Sequence, residues 1–207
     1  MPEDIFQTLN TYTGVSRETF EKLSTYHDLL LRWQAKINLV GPDTLNDAWH
    51  RHFLDSLQLL NHLPNNFGKI IDIGSGAGYP GMALAVAGIV DIHLIESDAK
   101  KIAFLKEVAR VTDTKVFIHH SRIEDVSIPN VSIILSRACS NLDNLLSFSL
   151  PFVSHETISL LHKGKNYSTD VEDANEHWLF EHTVIPSITD TQGVILKITN
   201  IRRKMGV

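Results

Sequence analysis

The segment "KIIDIGSGAGYPG" constrains the fold more than any other part of the chain. Residues 69–73 are mostly apolar and β-branched, which is typical of a buried strand. Four glycines follow within eight residues, namely Gly74, Gly76, Gly78 and Gly81. Glycine has no Cβ, so this spacing indicates a tight turn whose backbone a ligand can approach closely. The apolar run after Pro80 predicts a helix whose free N–H groups begin at that turn.

Strand-like and helix-like segments alternate after Lys69. The runs of strand character are "KIIDI", "DIHLIE", "KVFIHH", "VSIILS", "TISLLH", "LFEHTVIPSI" and "GVILKITNI". Helical segments separate several of the early runs, and such alternation predicts parallel strands with crossover helices. The last two runs are joined by "TDTQG", which predicts an antiparallel hairpin at one edge of the sheet. The fold class is therefore α/β, with a doubly wound, mostly parallel sheet.

The first third of the chain has a helical pattern instead. Ser16 can cap a helix, and apolar residues recur at spacings of three and four from Phe20 to Ile37. A second helical segment extends over residues 44–63 and ends before Pro64. We therefore expect a helical extension at residues 1–64 that packs as a cap on the main domain, residues 65–207.

Composition limits the class of protein. With 43% hydrophobic and 21% charged residues, the 207-residue chain is typical of a soluble globular domain. Its apolar runs are shorter than the roughly 20 residues of a membrane span, and its N-terminus does not resemble a secretory signal. One cysteine, Cys139, excludes an internal disulfide framework. We expect a cytoplasmic enzyme, monomeric and without a membrane partner.

The glycine turn alone does not identify its ligand. Its last three glycines satisfy the dinucleotide pattern G-x-G-x-x-G. Glu96, at the end of the second strand, could accept hydrogen bonds from the ribose of NAD or of S-adenosylmethionine. Asp72, at the end of the first strand, favours S-adenosylmethionine, because a carboxylate there would repel a pyrophosphate but could orient an amino group. No P-loop lysine follows the glycines, which disfavours a nucleoside triphosphate.

Five segments together resemble one known family. "DIGSGAGYPG" is similar to the glycine loop of class I methyltransferases, and four other segments narrow the resemblance: "RWQAKINLV", "RHFLDSL", "SRACSNLDNLL" and "LLHKGK". In this order they resemble the glucose-inhibited division protein B family, the bacterial guanine-N7 methyltransferases of small-subunit ribosomal RNA. The resemblance extends from about residue 16 to the C-terminus.

The resemblance implies a cofactor, a substrate and a set of contacts. The cofactor would be S-adenosyl-L-methionine, and the substrate a guanosine of 16S ribosomal RNA in the small ribosomal subunit. The cofactor contacts carried over by position are Gly74, Tyr79, Ile123, Glu124 and Arg137. Gly76 lies in the same turn, and Glu96 is inferred from the fold. Tyr79 replaces a smaller aliphatic residue of the family, so only its backbone is expected to make the contact.

Guanine N7 carries a free lone pair and loses no proton on methylation. We therefore expect no acid–base pair in the site, with Arg137 positioning the cofactor or an RNA phosphate. A structural ion pair is the alternative for Arg137. No metal is expected at His50, His52 and Asp55, since residues two apart lie on different faces of a helix. Instead, Asp55 and Ser56 should hold the helical cap against the glycine loop.

Basic residues near the end of the chain could contact RNA. Lys163 and Lys165 follow the fifth strand, and Arg202 and Arg203 belong to a basic C-terminal cluster, so we expect all four to meet phosphates. Cys139 is interpreted as a small buried thiol rather than a nucleophile.

Three alternatives stay open. The chain could be a methyltransferase acting on another RNA, a protein or a small molecule. It could also be a nicotinamide-dependent oxidoreductase, or an RNA-binding module without catalysis. Binding of S-adenosylmethionine rather than NADH would separate the first from the other two.

Overall fold

The computed structural model describes residues 2–137 and 139–205. Its strands are β1 (Lys69–Ile73), β2 (Ile92–Glu96), β3 (Phe117–His120), β4 (Val131–Arg137), β5 (Ile158–Lys163), β6 (Trp178–Pro186) and β7 (Val194–Arg203). They form one seven-stranded sheet in the order β3-β2-β1-β4-β5-β7-β6. The five strands β1 to β5 pair in parallel, and β7 pairs antiparallel with both β5 and β6.

This topology confirms the predicted α/β fold with a C-terminal antiparallel hairpin. Chain order reverses at β1, which lies between β2 and β4. Open α/β sheets bind ligands at such a switch point, beyond the carboxyl ends of the strands. The glycine turn leaves β1 at this point. β7 starts at Val194 beside Lys163, the last residue of β5, so it begins where the parallel strands have their carboxyl ends.

Four helices connect the strands. They are α5 (Gly81–Val86), α6 (Ala99–Val111), α7 (Leu142–Ser149) and α8 (Tyr167–His177). Asp98 caps α6 by accepting hydrogen bonds from Lys100 N and Lys101 N, and Asn141 caps α7. The sequence pattern did not predict α8, because only Val171 and Ala174 of this helix are buried. A helix with so few apolar positions gives little periodic signal.

The N-terminal extension is helical, as predicted, but its second segment is not one regular helix. Its α-helices are α1 (Pro2–Thr13), α2 (Arg17–Gln34), α3 (Pro42–Leu45) and α4 (Asp55–Leu57). A π-helix at Trp49–Leu54 precedes α4, and a 3₁₀-helix at Gln58–His62 follows it. Ser16 caps α2 by accepting a hydrogen bond from Thr19 N. Below, the helical cap means residues 2–62.

The helical cap and one face of the sheet share a hydrophobic core. Leu23, Tyr26 and Phe53 of the cap belong to the same buried cluster as Ile70 and Leu94 of the sheet. All five side chains are 0% exposed. Alternate residues of the strands form a smaller cluster on the opposite face of the sheet. The division of the chain into units at residue 64 stays a prediction. No helix within residues 2–137 or 139–205 is long and apolar enough to span a membrane.

Candidate functional site

The glycine turn forms an open cradle at the carboxyl end of β1. Gly74 and Gly76 have φ angles of +69° and +57°, in the left-handed region that side chains rarely adopt. A Cβ on Gly74 would lie 2.5 Å from the Sγ of Cys139. A Cβ on Gly76 would find only the Gly74 carbonyl oxygen, at 3.8 Å, so the space beside Gly76 is open. The turn thus combines a closely packed side with a side that a ligand can approach.

Asp72 is a buried carboxyl group that makes a hydrogen bond to the last glycine of this turn. Its side chain is 0% exposed, and its Oδ2 accepts a hydrogen bond from Gly81 N at 2.8 Å. Oδ1 is buried and has no hydrogen-bond partner among the described residues. Burial raises the pKa of this carboxyl group to about 7, although the Gly81 N–H partly opposes the shift. Asp72 therefore fixes the start of α5 rather than lining the cavity.

Glu96 contacts the other side of the turn. Its Oε2 accepts a hydrogen bond from Gly76 N at 2.9 Å, and its Oε1 accepts from Ser97 N and Asp98 N at 2.8 Å each. A carboxylate offers about four lone-pair positions. Oε2 consequently retains one acceptor position that a ribose hydroxyl could use.

A cavity of about 490 Å³ opens beside the glycine turn. This volume lies in the range of roughly 300–1,000 Å³ that is typical of small-molecule sites. Its walls come from the cap, the glycine turn, the ends of β4 and β5, and the turn between β6 and β7. Polar and charged residues on these walls include Thr44, Arg51, His52, Asp55, Lys101, Arg137, His162, Lys163, Thr189 and Asp190.

Arg137 lies at the centre of this wall and is bound to the cap. Its guanidinium donates to the Arg51 carbonyl oxygen at 2.8 Å and to Asp55 Oδ2 at 3.2 Å. It also lies 3.1 Å from His52 Nδ1 and 5.1 Å from the centre of the Tyr79 ring. The side chain is 17% exposed. The structural ion pair considered for Arg137 is therefore present, and the residue lines the cavity as well.

Tyr79 belongs to an aromatic column with Tyr26 and His52. The Tyr26 ring stacks on the Tyr79 ring with centres 5.4 Å apart, and the His52 ring stacks on it with centres 5.1 Å apart. The Tyr26 hydroxyl also donates a hydrogen bond to the Ala77 carbonyl oxygen in the glycine turn. Burial raises the pKa of Tyr79. The column joins α2, the glycine turn and the π-helix, so the cap sets the position of the turn.

Ile123 and Glu124 follow the carboxyl end of β3. They form a short 3₁₀-helix after β3 and do not line the cavity. Ile123 packs against the hydrophobic cluster on the opposite face of the sheet, and Glu124 is exposed. Their predicted contacts with an adenine stay predictions.

Lys163, which was predicted to contact an RNA phosphate, is bound to neighbouring residues. Its side chain is 8% exposed, and its ammonium forms an ion pair with Asp170 of α8. It also donates to the Ser140 carbonyl oxygen at 3.3 Å. Two of the three ammonium donors are therefore used within the protein, and the RNA contact of Lys163 stays a prediction. Lys165, two residues further on, is exposed and lines a smaller cleft between the loops after β4 and β5.

Arg202 and Arg203 lie at the far end of β7, away from the cavity. β7 starts beside the cavity at Val194 and is ten residues long, so its end is about 30 Å away at roughly 3.3 Å per residue. Arg203 pairs in register with Trp178, and its guanidinium lies 5.7 Å from the Trp178 ring centre. These arginines cannot contact a nucleotide bound in the cavity. RNA contact elsewhere stays a prediction for them.

Comparison with known proteins identifies the family. The sequence matches rRNA small subunit methyltransferase G, GidB, over residues 19–199. The chain belongs to this family. The "Ribosomal RNA small subunit methyltransferase G" of Paramagnetospirillum magneticum is 44% identical over 197 residues, covering 95% of this chain and 96% of that protein.

Solved structures confirm the fold class. The ribosomal protein L11 methylase of Lactobacillus delbrueckii superposes with a TM-score of 0.59 at 11% identity, covering 75% of this chain and 79% of its own. A TehB-like SAM-dependent methyltransferase of Corynebacterium glutamicum superposes with a TM-score of 0.56 at 14% identity, covering 85% and 98%. This GidB family member therefore has the class I methyltransferase fold.

Several contacts in this GidB chain were not anticipated from its sequence. Asp55 was expected to hold the cap against the glycine loop, but its carboxylate bonds to Arg137 and to Thr189 of the β6–β7 turn. Ser56 donates to the His52 carbonyl oxygen within the cap. Long-range partners such as Asp55 and Thr189 leave no local pattern in a sequence.

Cys139 is exposed, so the prediction of a buried thiol is wrong.

The potential general bases that line the cavity of this GidB member are paired or have a lowered pKa. Asp55 is bound to Arg137 and Thr189, and Asp190 pairs with Arg51 at 3.4 Å. Burial and the charge of Arg137 lower the pKa of His52 to about 4. No group of three or more potential metal ligands occurs within residues 2–137 and 139–205. Burial also lowers the pKa of His162, whose Nδ1 has no hydrogen-bond partner among the described residues. Such a site can position reactants and stabilise charge.

Proposed function

We propose that this chain transfers a methyl group from S-adenosylmethionine to N7 of a guanosine in 16S ribosomal RNA. Membership of the GidB family, together with a cavity beside the glycine turn at the switch point, carries the proposal. S-adenosylmethionine supplies an electrophilic methyl group on its sulfonium. The protein supplies a fixed geometry for that methyl group and the ring nitrogen.

The residues of the glycine turn fit this cofactor. The open side of Gly76 admits a nucleoside near the backbone, and Gly74 and Tyr79 continue the same wall. The free acceptor position of Glu96 suits a ribose hydroxyl. Ile123 and Glu124 would border the adenine beyond it. Arg137 would meet an oxyanion, either the carboxylate of the cofactor or a phosphate of the RNA.

Methylation at N7 does not require a free base. The N7 lone pair attacks the methyl carbon while the carbon–sulfur bond breaks, so no proton has to be removed. Catalysis would then depend on alignment and on electrostatics. We expect the single-turnover rate of the preformed complex to change by less than about threefold between pH 6 and 8. A rate that rises about tenfold per pH unit would contradict N7 chemistry without a base.

The substrate is a small ribosomal subunit, and RNA would approach the cavity mouth. Arg51 and Lys101 line the cavity, and Lys165 is exposed nearby. A matched pair of variants locates the contact. We expect Lys101→Glu/Lys165→Glu to raise the KM for subunits about tenfold or more, and Arg202→Glu/Arg203→Glu to raise it less. The reverse order would place the RNA at the other edge of the sheet.

One reconstitution experiment tests the function. Small subunits lacking the modification are incubated with the protein and S-adenosylmethionine carrying a labelled methyl group. Borohydride and aniline then cleave the RNA at N7-methylguanosine, and primer extension maps the break. We expect one cleavage site in 16S RNA, none in large subunits, and a weaker signal with Arg137→Ala. Label at another atom, or label only in protein, would refute the proposal.

The protein would act as a monomer in the cytoplasm, where ribosomal subunits assemble. Its exposed large apolar residues lie on separate parts of the chain: Leu31 on α2, Val90 in the loop before β2, and Leu179 on β6. Light scattering should therefore give a mass near the 23.3 kDa of one chain. A stable dimer would contradict this expectation.

A further inference from the structure

The cap binds Arg137 through one short segment. The three acceptors of its guanidinium are the Arg51 carbonyl oxygen, His52 Nδ1 and Asp55 Oδ2, at 2.8, 3.1 and 3.2 Å. They belong to residues 51–55, at the junction of the π-helix and α4. These bonds leave other N–H groups of the guanidinium free, and the residue lines the cavity. The orientation of the free donors is therefore set by the cap.

The hydrogen-bond network fixes the tautomer of His52. The Thr44 hydroxyl donates to the Gly41 carbonyl oxygen at 2.7 Å, so it accepts from His52 Nε2 at 2.8 Å. Nε2 then carries the proton, and Nδ1 presents a lone pair to Arg137. His52 is thus an acceptor for the guanidinium and not a competing cation.

Asp55 connects Arg137 to the β6–β7 turn, which also lines the cavity. While Oδ2 pairs with Arg137, Oδ1 accepts from Thr189 Oγ1 at 2.6 Å and from Gln58 Nε2 at 2.9 Å. The Asp55 carbonyl oxygen lies 2.8 Å from His162 Nε2 at the end of β5. Burial raises the pKa of Asp55, but its interactions with His162, Thr189 and Arg137 outweigh burial and lower it. The carboxylate is therefore ionised while it makes these contacts.

We propose that Asp55 is a positioning residue for methyl transfer, because it holds the Arg137 guanidinium with its free donors toward an oxyanion in the cavity. This inference rests on the proposed function. The oxyanion is either the methionine carboxylate of the cofactor or a phosphate of the RNA substrate. Both would meet the same donors, so the test reads the two sources separately.

A double-mutant cycle tests whether Asp55 acts through Arg137. The four proteins are the wild type, Asp55→Asn, Arg137→Ala and the double variant. We expect Asp55→Asn to lower kcat/KM about tenfold or more in the wild-type background and less than about threefold beside Arg137→Ala. A residue that only stabilised the fold would lower kcat/KM by the same factor in both backgrounds, and that result would overturn the proposal.

A control separates loss of folding from loss of positioning. Asp143→Asn removes a carboxylate that accepts from Trp178 Nε1 at 2.9 Å and does not line the cavity. Its effect on kcat/KM, whatever its size, should be unchanged by Arg137→Ala. If Asp55→Asn does not fold, Thr189→Val replaces it in the cycle, since this variant removes the hydrogen bond to Oδ1 and the contact with the Ser187 hydroxyl but leaves the Asp55 carboxylate in place. We expect a smaller effect that also disappears beside Arg137→Ala.

Separate binding measurements identify the oxyanion. Calorimetry gives the Kd for S-adenosylmethionine, and steady-state kinetics give the KM for small subunits. If the effects of Asp55→Asn and Arg137→Ala on the Kd are coupled, the oxyanion is the cofactor carboxylate. If they are coupled only in the KM, the oxyanion is an RNA phosphate. If the wild type binds the cofactor but methylates no ribosomal RNA, the proposed function fails, and the Kd cycle still tests Asp55. Absence of coupling in every measurement, or an Arg137→Ala variant with full activity, would refute the positioning role.

Discussion

The buried carboxyl group of Asp72 gives a measurable prediction about stability. Its pKa is raised from 3.8 to about 7 by complete burial below the glycine turn. Between these two values the unfolded chain is ionised at this position while the folded protein is not. The unfolded state then binds fewer protons, so the free energy of unfolding falls as pH rises. The loss is complete above about pH 7.

The size of the effect follows from the shift. A difference of about 3 pKa units corresponds to about 4 kcal/mol, at roughly 1.4 kcal/mol per unit. About two of these units lie between pH 5 and 7, which corresponds to about 3 kcal/mol. Asp72→Asn removes the titration, while the Asn carbonyl oxygen can still accept from Gly81 N. Any constant cost of the new amide, about 1–3 kcal/mol, is the same at each pH.

Urea unfolding of both proteins without cofactor, at several pH values from 5 to 8, measures this effect. As the pH rises from 5 to 8, we expect the free energy of unfolding of Asp72→Asn to increase by about 3 kcal/mol relative to that of the wild type. Other groups titrate in both proteins and cancel in the difference. Ser136→Ala is a matched control, since it removes a buried hydrogen bond to the Ile73 carbonyl oxygen but no titrating group. A difference that stays constant within about 0.5 kcal/mol would show that Asp72 does not have the raised pKa.

Three further predictions concern the turn, the ion pair and the cap. Gly78→Ala should destabilise the protein by more than about 3 kcal/mol in urea, because φ is +96° and the new Cβ would clash with the Tyr26 hydroxyl; an unchanged midpoint would contradict this. Lys163→Met should lower the melting temperature by leaving Asp170 without its partner, and Lys163→Met/Asp170→Leu should recover most of the loss. For His52, whose folded pKa of about 4 lies below the unfolded 6.5, stability should fall as pH drops from 6.5 to 4, and His52→Gln should reduce that slope.

The strands and the glycine turn were predictable because their signals are local. β-branched runs, glycine spacing and a capping serine act within a few residues, and β1 has the predicted bounds Lys69–Ile73. The π-helix at Trp49–Leu54 was not predictable, since its apolar residues also fit an ordinary helix. The polar helix α8 gave no periodic signal, and it carries the Asp170 that neutralises Lys163.

The candidate site was predictable only in part, because its polar network joins distant residues. The sequence placed Arg137 at the end of a strand, but its acceptors lie more than 80 residues earlier in the chain. The basic residues show the same limit. The hairpin was predicted, yet only the register of β7 shows that Arg202 and Arg203 lie away from the cavity.

The direction of β7 has a practical consequence for experiments. Because this strand leaves the cavity edge and ends at Arg203 on the far side of the sheet, a fluorophore or affinity handle attached after it would stand clear of the ligand-binding face. Met205, just beyond, is fully exposed, and would tolerate an attachment without steric conflict. Surface immobilisation through this end would leave the cavity accessible to an RNA substrate, whereas a handle on Lys101 would obstruct it.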